Sequence, residues 1–146
     1  SPGSWSQYVA KYIKNVKLVS IDLKDMDKIN NSTLIKGDFT ENKIQEKIIS
    51  YFKAKVDVVL SDMAVNTTGI KDIDSIYTGE LCKEAMIFAK DNLFKDGKFV
   101  SKIFLGRSFN EIINLAKTIF KEVRVFKPKS SRKESKESFI ICKNLR

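Results

Sequence analysis

Histidine is absent from this chain of 146 residues, and cysteine occurs only twice. Without an imidazole, every mechanism that relies on a histidine base is excluded within these residues. Cys82 and Cys142 lie far apart and support neither a zinc cluster nor a disulfide framework, so a reduced, intracellular setting is expected and no metal. Long apolar runs are missing too. Stretches such as Val56-Asp57-Val58-Val59-Leu60 fall far short of the roughly 20 residues that cross a bilayer. No secretory signal is visible, and no membrane partner is expected. What is present is 42% apolar and 31% charged residues, enough for one core and a wet surface, which argues for one domain over 1–146. Twenty-seven Lys and Arg against eighteen Asp and Glu leave +9, a field that attracts polyanions. A basic balance alone often means only solubility, so the motifs must decide.

Short runs rich in Val, Ile, Phe and Leu predict strands at Val16–Asp22, Thr33–Lys36, Val56–Ser61, Lys98–Phe104, Val123–Phe126 and Ser138–Cys142. Helical patterns lie between most of them. They cover Trp5–Lys14, Glu41–Phe52 (Ile44, Ile48, Ile49 and Phe52 on one face), Gly79–Leu93 and Ser108–Phe120 (Phe109, Ile112, Ile113, Ala116 and Phe120 at helical spacing). The alternation predicts an α/β fold with a mostly parallel, doubly wound sheet. Between Phe126 and Ser138 the linker is polar, with no helical stripe, and reverses the chain into an antiparallel last strand. A fold of this kind places a buried strand before an opening turn such as Ser1-Pro2-Gly3-Ser4-Trp5, and that strand is expected to be missing from this chain.

Ligands of such sheets sit at the carboxyl ends of the strands. The Pro2-Gly3-Ser4 turn lets a backbone approach a ligand, and the helix after it offers N–H groups to a carboxylate, although a Pro-Gly pair is by itself only a turn. Asp22 ends its strand about 20 residues on, the offset at which nucleoside-binding folds place an acid against ribose hydroxyls. Asp38, after Gly37, suits an adenine amino group with Phe39 beside the base, although aspartate after a strand also commonly caps a helix.

Two further strands end in groups suited to chemistry. Val58-Val59-Leu60-Ser61-Asp62-Met63-Ala64 sets a carboxylate at the end of an apolar strand. Lys102 lies among hydrophobic residues on the face of Val100 and Phe104. A lysine there can simply snorkel to water, or it can take the proton of a hydroxyl nucleophile beside a carboxylate. The run Lys127-Pro128-Lys129-Ser130-Ser131-Arg132-Lys133-Glu134-Ser135-Lys136-Glu137 reads either as a solvated loop or as phosphate contacts from Lys129, Arg132 and Lys133, with Glu137 entering the site.

Six of these stretches fall in an order that resembles the FtsJ/RrmJ family of ribosomal RNA 2′-O-methyltransferases. They are Pro2-Gly3-Ser4-Trp5-Ser6-Gln7, Asp22-Leu23, Gly37-Asp38-Phe39, Ser61-Asp62-Met63-Ala64 with Asn66, Lys102-Ile103-Phe104 with Gly106, and Lys127-Pro128 through Ser130-Ser131-Arg132 to Glu137. The resemblance covers essentially the whole chain. It departs from many relatives at Val65, where they carry proline, and at Lys129, which they often replace with an acid. It implies a Rossmann-like S-adenosylmethionine methyltransferase fold in an N-terminally incomplete domain. It also implies S-adenosylmethionine as donor, and ribosomal RNA or the large ribosomal subunit as partner. Gly3, Trp5, Asp22, Asp38 and Asp62 are the implied cofactor contacts, with Phe39 at the base. Of a Lys-Asp-Lys-Glu catalytic group it places Asp62, Lys102 and Glu137, with Lys102 as proton acceptor. The first lysine of that group belongs upstream of the glycine turn and has no position here. Within the family, the stretches around Asp62 and Arg132 look closer to large-subunit uridine enzymes. A monomer in the cytoplasm or a mitochondrion is expected. Rival expectations are a tRNA or mRNA-cap 2′-O-methyltransferase and a non-catalytic RNA-binding ribosome-assembly protein. A nicotinamide oxidoreductase is disfavoured by its incomplete glycine fingerprint.

Overall fold

The computed structural model describes residues 3–64, 69–129 and 136–146. These fall into two compact units, Ser1–Lys53 and Ala54–Arg146, and each is built by its own logic.

In the first unit, helix α1 (Ser4–Tyr12) leads to strand β1 (Leu18–Asp22), strand β2 (Ser32–Lys36) and helix α2 (Asn42–Phe52). The strands pair in parallel, Leu18 opposite Ser32 through Asp22 opposite Lys36. A short hydroxyl chain ties helix to sheet: Ser6 Oγ lies 2.6 Å from the buried Ser20 Oγ, which lies 3.2 Å from Ser32 Oγ. Helix α2 buries Ile44 and Ile48, one turn apart, while Ile49 stays 44% exposed. The seam is therefore narrower than the expected face, since one helical turn aligns i and i+4 but swings i+5 outward. Gly37 leaves room beside this seam, since a Cβ there would meet Ile44 Cδ1 at 2.5 Å and make that side chain shift.

The second unit runs strand β3 (Val56–Ser61), helix α3 (Lys71–Asn92), strand β4 (Leu93–Phe104), helix α4 (Phe109–Ile119), strand β5 (Phe120–Phe126) and strand β6 (Glu137–Leu145). Its sheet order is β3-β4-β6-β5. Strands β3 and β4 are parallel, and β6 is antiparallel to both β4 and β5. Strands β4 and β5 therefore run the same way, and the last strand is the reversed one, as its helix-free linker predicts. Along β4 the residues Phe99, Ser101 and Ile103 are buried, and Val100, Lys102 and Phe104 are half-buried on the other face. Phe99 and Phe120 stack with ring centroids 6.1 Å apart. Helix α4 contributes Ile112, Ala116 and Ile119 to the core, and Phe120 reaches it as the first residue of β5 rather than as a helical residue.

Several boundaries differ from the sequence reading. Helix α3 starts at Lys71, eight residues before Gly79, through a segment whose Asp74, Ser75 and Thr78 are buried. Burial here overrides weak intrinsic helix preference. Strand β4 starts at Leu93, directly after α3, but its register against β3 jumps from Val56 opposite Leu93 to Val58 opposite Lys98. The regular ladder thus begins at Lys98. Strand β6 runs on to Leu145, three residues past the predicted end at Cys142. Among the described residues no helix is long and apolar enough to cross a membrane.

Candidate active site

In the first unit Asp22 ends β1 and Asp38 with Phe39 follows the end of β2, while Gly3 and Trp5 stand at the start of α1. Gly3 has a left-handed backbone (φ 92°), and a Cβ there would meet Ile29 Cδ1 at 3.1 Å, so both conformation and space favour glycine. Helix α1 follows with no side-chain cap, and Trp5 in its first turn is half-buried. Asp22 closes β1: its carbonyl accepts the Gly37 N–H (2.9 Å) and its Oδ1 accepts the Lys24 N–H (2.9 Å). The two strand ends are thereby clipped together.

Asp38 folds back on its own loop. Its Oδ1 accepts both the Thr40 hydroxyl (2.7 Å) and the Thr40 N–H (2.9 Å), and these bonds, hydroxyl first, hold the carboxyl below the ordinary carboxylate range. No side-chain cap hydrogen bond forms at Glu41, the residue before α2, so Asp38 organises the approach to the helix rather than its N-cap. Gln45 donates to the Phe39 carbonyl (3.0 Å) and fixes that half-buried ring's backbone.

In the second unit the structure brings Lys102 and Glu137 together. The β4–β6 register sets Lys102 opposite Phe139 and Phe104 opposite Glu137, so Glu137 lies diagonal to Lys102 on one face. Long side chains span such a diagonal, and Lys102 Nζ is 3.7 Å from Glu137 Oε2. With Glu137 at 41% exposure the pair stabilises the fold by no more than about 1 kcal/mol, and less after screening. Its value is positional. Asp62 directly follows Ser61, which pairs with Ser101 in the neighbouring strand. It is exposed, and among the described residues it makes no ion pair within 4 Å. Strand register thus brings Asp62 to the same end of the sheet as Lys102 without a direct bridge.

Lys129 is exposed at the start of the basic linker. Arg132 and Lys133, together with Asn66, Ser130 and Ser131, lie outside the described residues. Two features had no signal in the sequence. The Leu105 N–H donates to the Lys136 carbonyl (2.7 Å), tying the turn after β4 to the start of β6, where Glu137 stands. The hydroxyls of Ser75, Thr78 and Ser138 are buried without hydrogen-bond partners among the described residues. Hollows of about 460 and 1010 Å³ lie in the first unit, lined by neither Asp22 nor Asp38. Their lining follows the amino ends of β1 and β2, away from the nucleoside-type residues. Among the described residues no cluster of three His, Cys, Asp or Glu side chains gathers.

Known proteins resemble the chain along nearly its whole length. Residues 1–145 match the family model described as FtsJ-like methyltransferase. The chain is 71% identical over 146 residues to the ribosomal RNA large subunit methyltransferase E of Pelagibacter ubique, covering all of this chain and 72% of that protein. It is 43% identical over 150 residues to the protein of the same name from Rickettsia akari, covering 99% of this chain and 66% of the relative. Among solved structures, one described as a ribosomal RNA methyltransferase from Plasmodium falciparum superposes with a TM-score of 0.86 at 31% identity, over 99% of this chain and 81% of that one.

Proposed function

This chain belongs to the FtsJ-like methyltransferase family, and from that premise we propose that it moves the methyl group of S-adenosylmethionine to a ribose 2′-hydroxyl of RNA, with a uridine of large-subunit ribosomal RNA as target. The observation that carries the chemistry is the Lys102–Glu137 pair, an amine at the carboxyl end of one strand held 3.7 Å from a carboxylate on its antiparallel neighbour. The choice of large-subunit RNA rests on the names of the Pelagibacter and Rickettsia relatives, and their bacterial sources favour a bacterial cytoplasm over an organelle. The two units together are read as one methyltransferase domain acting as a monomer.

The residues of the first unit fit the donor. The start of α1, which has no side-chain cap hydrogen bond, suits a carboxylate at its backbone N–H groups, and the side-chain-free Gly3 permits close approach. Asp22, at the end of β1, would accept the ribose hydroxyls. Asp38 Oδ2 has no hydrogen-bond partner among the described residues, which suits an adenine amino group, with Phe39 at the base. Trp5 and Asp62 complete the proposed contacts. S-adenosylmethionine supplies a methyl group already activated by a positive sulfur. What remains for the protein is in-line orientation and removal of one proton.

As the free amine, Lys102 Nζ would accept the 2′-hydroxyl proton while the oxygen takes the methyl group and the donor sulfur keeps the bonding pair. Glu137, already beside Nζ, would balance the ammonium so formed, and Asp62 would orient the sugar. Lys129, Arg132 and Lys133 hold RNA phosphates.

The test is methyl transfer from a radiolabelled donor to large ribosomal subunits and, in parallel, to tRNA. Lys102→Ala is expected to lower transfer by about a hundredfold or more, with donor affinity by calorimetry unchanged. Undiminished transfer by that variant would refute the mechanism. Activity on tRNA with none on ribosomal material would overturn the target.

A further inference from the structure

At the amino ends of β1 and β2, α1 and the strand ends enclose the groove of about 1010 Å³. Lys11, Lys14, Lys17 and Lys28 line it together with Asn30 and Asn31, and no carboxylate is among its lining residues. In a chain with eighteen acidic residues, four lysines around an acid-free hollow make a local field that only an anion neutralises. Lys17 is fixed: its Nζ donates to the Tyr51 carbonyl (2.9 Å) and lies 4.7 Å from the Tyr51 ring centroid. Lys11, Lys14 and Lys28 are exposed and, among the described residues, have no carboxylate partner. Elsewhere, by contrast, Lys36 pairs with Asp25, and Lys83 with Glu80 and Glu111. The asparagine amides add uncharged donors, a combination suited to phosphate oxygens.

We propose that this groove is a second RNA contact, in which Lys11, Lys14 and Lys28 bind backbone phosphates of the substrate at the opposite end of β1 from Asp22. The strand between the two ends spans roughly 13 Å at about 3.3 Å per residue, so the groove is separate from the Asp22 end. The proposal rests on the reading of RNA as substrate. Phosphate contacts position the nucleic acid without reading its sequence, so the groove sets affinity and orientation rather than choice of base.

The experiment is a fluorescence-anisotropy titration of a labelled ribosomal RNA hairpin, without methyl donor, over a series of KCl concentrations. It compares the wild type with K11A/K14A/K28A and K11R/K14R/K28R. Lys17 is left in place because it supports Tyr51. Each lost phosphate contact lowers the slope of log Kd against log salt by about 0.7 to 0.9, so the alanine variant is expected to lose about 2 to 3 in slope, equally for unrelated RNA sequences. The arginine variant should keep the wild-type slope. In turnover assays the alanine variant should raise KM with kcat retained, and calorimetric binding of S-adenosylmethionine should be unchanged. An unchanged slope in a variant that still binds the donor overturns the groove as an RNA site. If the triple variant does not fold, the three single alanine variants decide, each expected to reduce the slope by just under 1. Because the titration needs no turnover, absence of methyl transfer by the wild type would count against the proposed activity while leaving the groove result readable by itself.

Discussion

Asp38 commits one carboxylate oxygen to Thr40 and leaves the other outward, so a single threonine sets both the shape and the charge of this loop. Its carboxyl is held low in the folded chain, first by the Thr40 hydroxyl and then by the Thr40 N–H. A group whose folded pKa lies below its unfolded value adds stability above the ordinary carboxylate range and loses it as pH falls through the folded value. Thr40→Val removes the hydroxyl bond and keeps the N–H bond. The Asp38 titration midpoint, followed by carboxyl-carbon NMR, should then rise toward the ordinary value, and the variant should gain less stability than the wild type as pH rises from about 3 to 5. An unmoved midpoint would show that the hydroxyl is not the cause. Lys102 illustrates the other side of residue-scale reasoning. Its face on β4 follows from strand alternation alone, but its partner does not, because Glu137 is 35 positions away and the diagonal pairing exists only once the β4–β6 register is known.

Among the elements, α3 carries a glycine in its interior because the side chains of Ser108 and Ile112 come close. A Cβ at Gly79 would meet Ser108 Cβ at 2.9 Å and Ile112 Cδ1 at 3.3 Å, and Ser108, buried at the start of α4, has no room to yield. Gly79→Ala gains about 1 kcal/mol of helix propensity but forces overpacking that costs roughly 1–3 kcal/mol. The expected net is a destabilisation of about 1 kcal/mol, read as a lower denaturation midpoint in urea, and a more stable variant would contradict the packing. The same contact explains a boundary that the sequence concealed. Asp74, Ser75, Thr78 and Gly79 read as a weak helix former, yet they are the small and polar residues that let α3 lie against the turn after β4, where Gly106 in turn admits Ser75. Elements with periodic apolar residues, such as α2 and α4, were legible directly. Likewise the reversed β6 followed from a linker with no helical stripe. The direct junctions of α3 into β4 and α4 into β5 were not legible, because no turn residue marks them.

For the molecule as a whole, the two cysteines report on integrity. Burial pushes the Cys82 thiol up to about 11, against smaller opposing effects of Ser101 and Lys83. Burial, reinforced by the neighbouring Cys82, pushes Cys142 up to about 12. At pH 8 on the order of one Cys82 side chain in a thousand is then thiolate. Both thiols should react with a disulfide reagent far more slowly in the native protein than in denaturant, at a rate tracking unfolding of the Ala54–Arg146 unit. Fast labelling of either cysteine in the folded state would contradict its packing. The acid-free lysine groove was not visible in sequence because its lysines come from α1, the approach to β1 and the link to β2, and only folding gathers them.

Among the described residues, strand β6 is the one neighbour that β4 and β5 share. During synthesis both are made before it, and neither can hydrogen-bond to the other while it is absent. The β4-β6-β5 part of this sheet therefore closes only once Glu137–Leu145 has been made, and the carboxylate that faces Lys102 arrives on the same strand that closes the gap. A nascent chain cannot present the amine and its carboxylate together before that strand has joined its two neighbours.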